Sequence, residues 1–67
     1  MEHRIKNLRA AIGLTQEQLS ERVGVSRQTI ISIENGRYNP SLELAYKIAK
    51  VFDLYIEDVF IFDKGSE

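Results

Sequence analysis

Along most of the chain, apolar residues recur at helical spacing, in blocks separated by small polar or glycine-bearing junctions. Ile5, Leu8 and Ile12 fall at i, i+3 and i+7, which predicts a first helix over roughly 3–12 that stops at Gly13. Thr15 then starts a second helix, with Gln18 placed three residues on for a capping box and Leu19 and Val23 turned inward. Gly24 stops that helix, because glycine takes positive φ without a steric penalty. Only Val25 separates it from Ser26, which can cap a third helix running to about Asn35.

Asn35-Gly36 ends the third helix, and a loop follows to Asn39, which the adjoining Pro40 biases away from helix. Ser41 can cap a fourth helix, roughly 42–52. Its polar arc holds only Glu43, Lys47 and Lys50, and more than half of its circumference is apolar. Such a helix is either central to a core or shares its surplus face with a partner. Residues 56–60 suit one more helical turn. The stretch "VFIF" at 59–62 is β-branched and aromatic, and reads equally as a strand.

Composition adds limits. A chain of 67 residues is one small domain, and such a domain buries only about 60% of the surface its unfolded form exposes. The absence of cysteine excludes disulfides, and a single histidine excludes most zinc arrangements. No apolar run approaches a membrane span and no signal-peptide core follows the N-terminus, so the expected location is the cytoplasm, with no membrane partner. The net charge of −1 conceals an asymmetry: residues 1–40 carry six basic and four acidic side chains, and residues 41–67 carry three basic and six acidic. A polyanion would meet the first half and be repelled by the second.

No nucleophile–base set, phosphate loop or metal-ligand spacing occurs, so neither catalysis nor a cofactor, metal or small-molecule ligand is expected. Glu57 and Asp58 are adjacent carboxylates, but neighbours on a helix point about 100° apart, and acids early in a helical turn complement its dipole. His3 reads as an exposed terminal residue. The third helix is more informative. With Arg27 taken as zero, Ile31, Gln28 and Ser32 lie at about 40°, 100° and 140°, with Ile30 and Ile33 opposite. Arginine bonds guanine bidentately, glutamine bonds adenine, and an apolar side chain meets a thymine methyl.

The run "LTQEQLSERVGVSRQTIISIENGRYNPSLELAYKIAKVF" resembles the DNA-binding domain of the phage repressor/Cro class, also called the xenobiotic-response-element family. The likeness extends from Ile5 to about Val59 and is most specific from Gln16 to Gly36. It implies an all-α, five-helix, lambda-repressor-like helix-turn-helix domain over residues 3–59. The tail at 60–67 departs from the likeness by continuing beyond the usual five helices, and its β-branched and aromatic residues offer a short strand at a dimer interface. The likeness also implies a homodimer on a palindromic operator in double-stranded DNA, acting as a repressor. Arg27, Gln28, Ile31 and Ser32 would then contact bases, and Gln16, Asn35, Arg37 and Tyr38 the DNA backbone. Arg9 would pair with Glu34. Where relatives carry glycine and then a small N-cap before the fifth helix, this chain has Asp53, which tolerates the left-handed region, and Tyr55, which cannot cap.

The dimer surface is expected on the fourth and fifth helices and the tail, through Val51, Phe52, Ile56, Phe60, Ile61 and Phe62. The surplus apolar arc and an otherwise unpaired strand edge motivate that choice; pairing "VFIF" with the N-terminal residues or with its own copy would cover the edge. The competing reading is an antitoxin or a protein-interaction adaptor on the same fold. An adaptor would need an apolar groove on the third helix, where only Ile31 is apolar.

Overall fold

Among the described residues, four αL turns punctuate the chain, at Gly13, Gly24, Gly36 and Asp53, with φ of 68°, 77°, 77° and 58°. The computed structural model describes residues 2–62, and each of these turns ends one helix there. The helices are α1 (Ile5–Ile12), α2 (Gln16–Val23), α3 (Arg27–Glu34), α4 (Leu42–Val51) and α5 (Ile56–Val59). Two short strands, β1 (Glu2–His3) and β2 (Phe60–Ile61), close the ends of the described chain.

Local chemistry accounts for most boundaries. At the start of α2, the Thr15 hydroxyl accepts the Gln18 N–H at 3.0 Å while the Gln18 side chain accepts the Thr15 N–H at 2.9 Å, a complete capping box. Ser26 and Ser41 cap α3 and α4 by accepting the N–H groups of Thr29 and Leu44. At the tight turn between α2 and α3, Gly24 takes the αL conformation, and the Val25 N–H reaches back to the Ser20 carbonyl at 3.1 Å. Asp53 performs the same task after α4: its N–H and that of Leu54 bond the carbonyls of Lys50 and Ala49 at 3.0 Å each. An aspartate therefore occupies the left-handed position that glycine takes at the other three helix ends.

Tyr55 does precede α5 without a capping hydroxyl of its own. The gap is filled from the other side, because the Asp58 carboxylate accepts the Tyr55 N–H at 3.1 Å. Asp58 is thus a helix-end acceptor. The first helix begins at Ile5, two residues later than its periodicity suggests, because Glu2 and His3 are taken into β1. β1 pairs antiparallel with β2, Glu2 opposite Ile61 and His3 opposite Phe60. The Arg4 N–H extends the seam to the Val59 carbonyl at 2.9 Å.

This seam corrects two expectations. His3 is half-buried and lies edge-on to the Phe60 ring, with centroids 6.4 Å apart, and its Nδ1 accepts the Ile5 N–H at the start of α1. Phe60 is 1% exposed within the chain's own core, so its side chain is not available to a second copy. Of the tail expected at 60–67, Phe60 and Ile61 form β2, and residues 63–67 lie outside the described residues.

The core runs from Ile5 through Leu19 and Ile30 to Ile48, Val59 and Phe60, all fully buried. α2 packs on α3 and α4, and α4 on α5. Apolar contact supplies the main stabilisation, at roughly 25 cal/mol per Å² of apolar surface removed from water.

Candidate nucleic-acid interface

The outward side of α3 is set by what lies behind it. Ile30 and Ile33 are buried in the same cluster as Leu19 and Val23 of α2, which fixes the rotation of α3 about its axis. Ser20 is small and 3% exposed where α2 approaches the turn, and its hydroxyl is satisfied by donating to the Glu17 carbonyl at 2.7 Å. With that face inward, Arg27 and Gln28 are exposed, and Ile31 and Ser32 are half-buried at the flanks. Ile31 is therefore less prominent than an exposed isoleucine would be.

A polar lock joins the ends of three helices. Arg9 of α1 donates to Glu34 of α3 in a fork, Nε to Oε2 at 2.7 Å and Nη2 to Oε1 at 3.1 Å. Its remaining arm donates to the Leu14 carbonyl at 3.0 Å. The Gln16 amide, at the first residue of α2, donates to Glu34 Oε1 at 3.0 Å. The side chains of Arg9 and Glu34 are only 13% and 6% exposed, so this is a largely desolvated, bidentate pair. Burial pushes the Glu34 carboxyl up, but the hydrogen bonds from Arg9 and Gln16 and the nearby positive charge outweigh it and hold the group below its ordinary value. The lock fixes the start of α2 against the end of α3. It also engages Gln16, one of the residues expected at the DNA backbone, through one amide hydrogen.

Beyond Glu34 the chain reverses sharply. The Gly36 N–H bonds the Ile33 carbonyl at 3.1 Å and the Arg37 N–H bonds the Ser32 carbonyl at 2.9 Å, with Gly36 in αL, a Schellman closure that glycine alone enters without strain. Asn35, Arg37 and Tyr38 are exposed on this turn. Tyr38 lies beside α3: with Ser26, Gln28, Thr29 and Ser32 it lines an open groove of about 260 Å³. Thr29, not expected at the site from the sequence, lines it as well. Its signal was the Ser-x-x-Thr spacing, which brings the two hydroxyls to 3.0 Å across the first turn of α3.

The surface expected at a dimer contact divides. Val51, Phe52, Ile56 and Ile61 are half-buried and Phe62 is 62% exposed, whereas Phe60 belongs to the core. Leu42, Tyr46 and Tyr55 are large exposed apolar or aromatic side chains outside that expected set. Tyr46 and Tyr55 border a cleft between α4 and α5 whose lining also includes Lys50, Asp53, Glu57 and Asp58. Among the described residues no group of His, Asp or Glu is arranged to hold a metal, and no helix is long and apolar enough to cross a membrane.

Residues 5–59 match the family model described as helix-turn-helix. An HTH-type transcriptional regulator of Archaeoglobus fulgidus is 61% identical over 64 residues, covering 96% of this chain and 90% of the relative. The immunity repressor protein of Bacillus phage phi105 is 38% identical over 56 residues, which span 84% of this chain and 39% of that protein. Among solved structures, the restriction-modification controller protein C.AhdI from Aeromonas hydrophila superposes with a TM-score of 0.79 at 35% identity, over 85% of this chain and 86% of that one. The locked helix pair, its hydrogen-bonding outer face and these likenesses agree, and the chain belongs to the helix-turn-helix family of transcriptional regulators, the family of the phage repressors.

Proposed function

We propose that this regulator binds a palindromic operator in double-stranded DNA as a homodimer and represses transcription by occupying that site. The observation carrying the reading is the outer face of α3: Arg27 and Gln28 exposed, Ile31 and Ser32 at the flanks, on a helix whose rotation is fixed from behind. Seated in a major groove, Arg27 would bond a guanine through its O6 and N7, Gln28 an adenine through its N6 and N7, and Ile31 a thymine methyl, while Ser32 accepts or donates. Gln16, Asn35 and Arg37 would meet phosphates on either side, with the Glu34 bond presenting Gln16 in a fixed orientation.

Two such helices about 34–36 Å apart would reach successive turns of one groove face, which is the physical reason for a two-fold dimer. The supporting surface is the end of α4, α5, the Ile61 position of β2 and Phe62, where Val51, Phe52, Ile56, Ile61 and Phe62 retain exposure. The adjoining cleft is lined by Lys50 together with Asp53, Glu57 and Asp58, so both signs of charge are present for a copy turned by a two-fold axis to meet. The acidic second half of the sequence then faces away from DNA.

Selection of bound duplexes from a random pool, followed by affinity measured against salt, tests the proposal. It predicts an enriched inverted repeat and a log–log salt slope of several units. No enrichment at low salt would sink the DNA reading, and enrichment of a single half-site would sink the dimer.

A further inference from the structure

The Schellman turn at Gly36 does more than end α3. By bonding the Arg37 N–H to the Ser32 carbonyl, it folds the chain back so that Tyr38 stands over the same groove as Gln28 and Ser32. Gln28 and Ser32 are four residues apart, one above the other on the helix, and Tyr38, 48% exposed, lines the same groove. The lining contains no formal charge: two serines, a threonine, a glutamine and a tyrosine. The salt-dependent strength of phosphate contacts comes from cations, and this lining holds none. A neutral groove with one carboxamide and one aromatic ring offers the edge of a base pair a hydrogen-bonding and an apolar partner together. Its Ser26 end is self-paired, the Ser26 and Thr29 hydroxyls meeting at 3.0 Å.

Resting on the DNA-binding reading above, we propose that Tyr38 is a specificity-determining residue that reads the same A·T pair as Gln28. The Gln28 carboxamide takes the adenine edge, and the Tyr38 ring covers the thymine methyl of that pair. An A·T pair displays both features side by side in the major groove. A tyrosine ring gives up few rotamers on contact, which makes it an efficient wall for a methyl group. The Tyr38 hydroxyl is not required for this role.

The experiment begins with the wild-type selection, which decides the DNA reading by itself. The pair read by Gln28 is then the one whose preference Gln28→Ala relaxes. Replacing its thymine by deoxyuridine removes only the methyl, and should weaken wild-type binding by about four-fold, the transfer value of one buried methyl. Tyr38→Ala should bind the thymine site more weakly and show no difference between thymine and deoxyuridine. Tyr38→Phe should behave as wild type. Should Tyr38→Ala not fold, 5-iodouracil at that position should photocross-link to Tyr38 in the unaltered protein. If Tyr38→Ala weakens every duplex alike and lowers the salt slope, Tyr38 is a phosphate contact and the inference fails. It fails equally if the pair is G·C, if wild type ignores the methyl, or if the cross-link forms at another residue. Those failures leave an enriched operator standing, whereas loss of the DNA reading leaves none.

Discussion

Removing Arg9 tests the polar lock directly. Arg9→Ala deletes both bonds of the fork to Glu34, at 2.7 and 3.1 Å, and the 3.0 Å bond to the Leu14 carbonyl. Glu34 keeps the Gln16 amide, but its carboxylate, 6% exposed, loses its counter-charge. Breaking a fully buried pair costs about 3–5 kcal/mol. Because Arg9 is 13% exposed, water can reach the vacated site, which places the expected loss near the lower end, about 3 kcal/mol. A chain of this size is stable by roughly 3–10 kcal/mol in total, so the loss is a large share of the whole. With a urea slope of about 1 kcal/mol/M, the midpoint should fall by about 3 M. Glu34→Gln keeps the shape and one acceptor and should cost about 2 kcal/mol. The double variant should reveal coupling of about 1–2 kcal/mol.

The same carboxylate makes a pH prediction. Its folded value lies below the ordinary 4.5, so its contribution is complete above 4.5 and is lost as pH falls through the lower folded value. Wild-type stability should therefore fall with pH in that acidic window more steeply than that of Glu34→Gln. Urea melts at fixed protein concentration, across pH, provide both readouts. Coupling below about 0.5 kcal/mol together with parallel pH curves would refute the lock.

Arg27→Ala should relax preference at one or two base pairs, costing about 1–3 kcal/mol against the cognate duplex, whereas Arg37→Ala should weaken all duplexes alike and reduce the salt slope by about one; equal weakening by Arg27→Ala would remove its base-reading role. Phe60→Ala should destabilise the folded chain by about 3–5 kcal/mol, measured by thermal melts; a loss below about 1 kcal/mol would contradict its place in the core. Asp53→Gly should raise stability by about 0.5–1 kcal/mol by relieving the αL position, and an unchanged melting temperature would show that Asp53 bears no strain there. Sedimentation at micromolar concentration should find a dimer, with Ile56→Asp shifting it to monomer; a wild-type monomer at every concentration refutes the association surface.

Much of this protein is legible in its sequence because its helix ends are chemically local. Thr15 with Gln18, Ser26 and Ser41 each act within three residues, and the glycines ending the first three helices need nothing beyond their own backbone freedom. The inward set Leu19, Val23, Ile30 and Ile33 also follows from periodicity, and it fixes which side of α3 faces outward. Tertiary structure decided what depends on distant partners. Arg9 and Glu34 are 25 residues apart; charge pattern leaves several partners open to each, and only the family resemblance singled out the pair. Two-residue strands and a four-residue helix carry too little periodicity to reveal that Phe60 turns into the core and His3 pairs across from it. The destination of Tyr38 is of the same kind: an αL glycine announces a reversal of the chain, but the groove that the returning residue enters exists only once α3 is already packed in place.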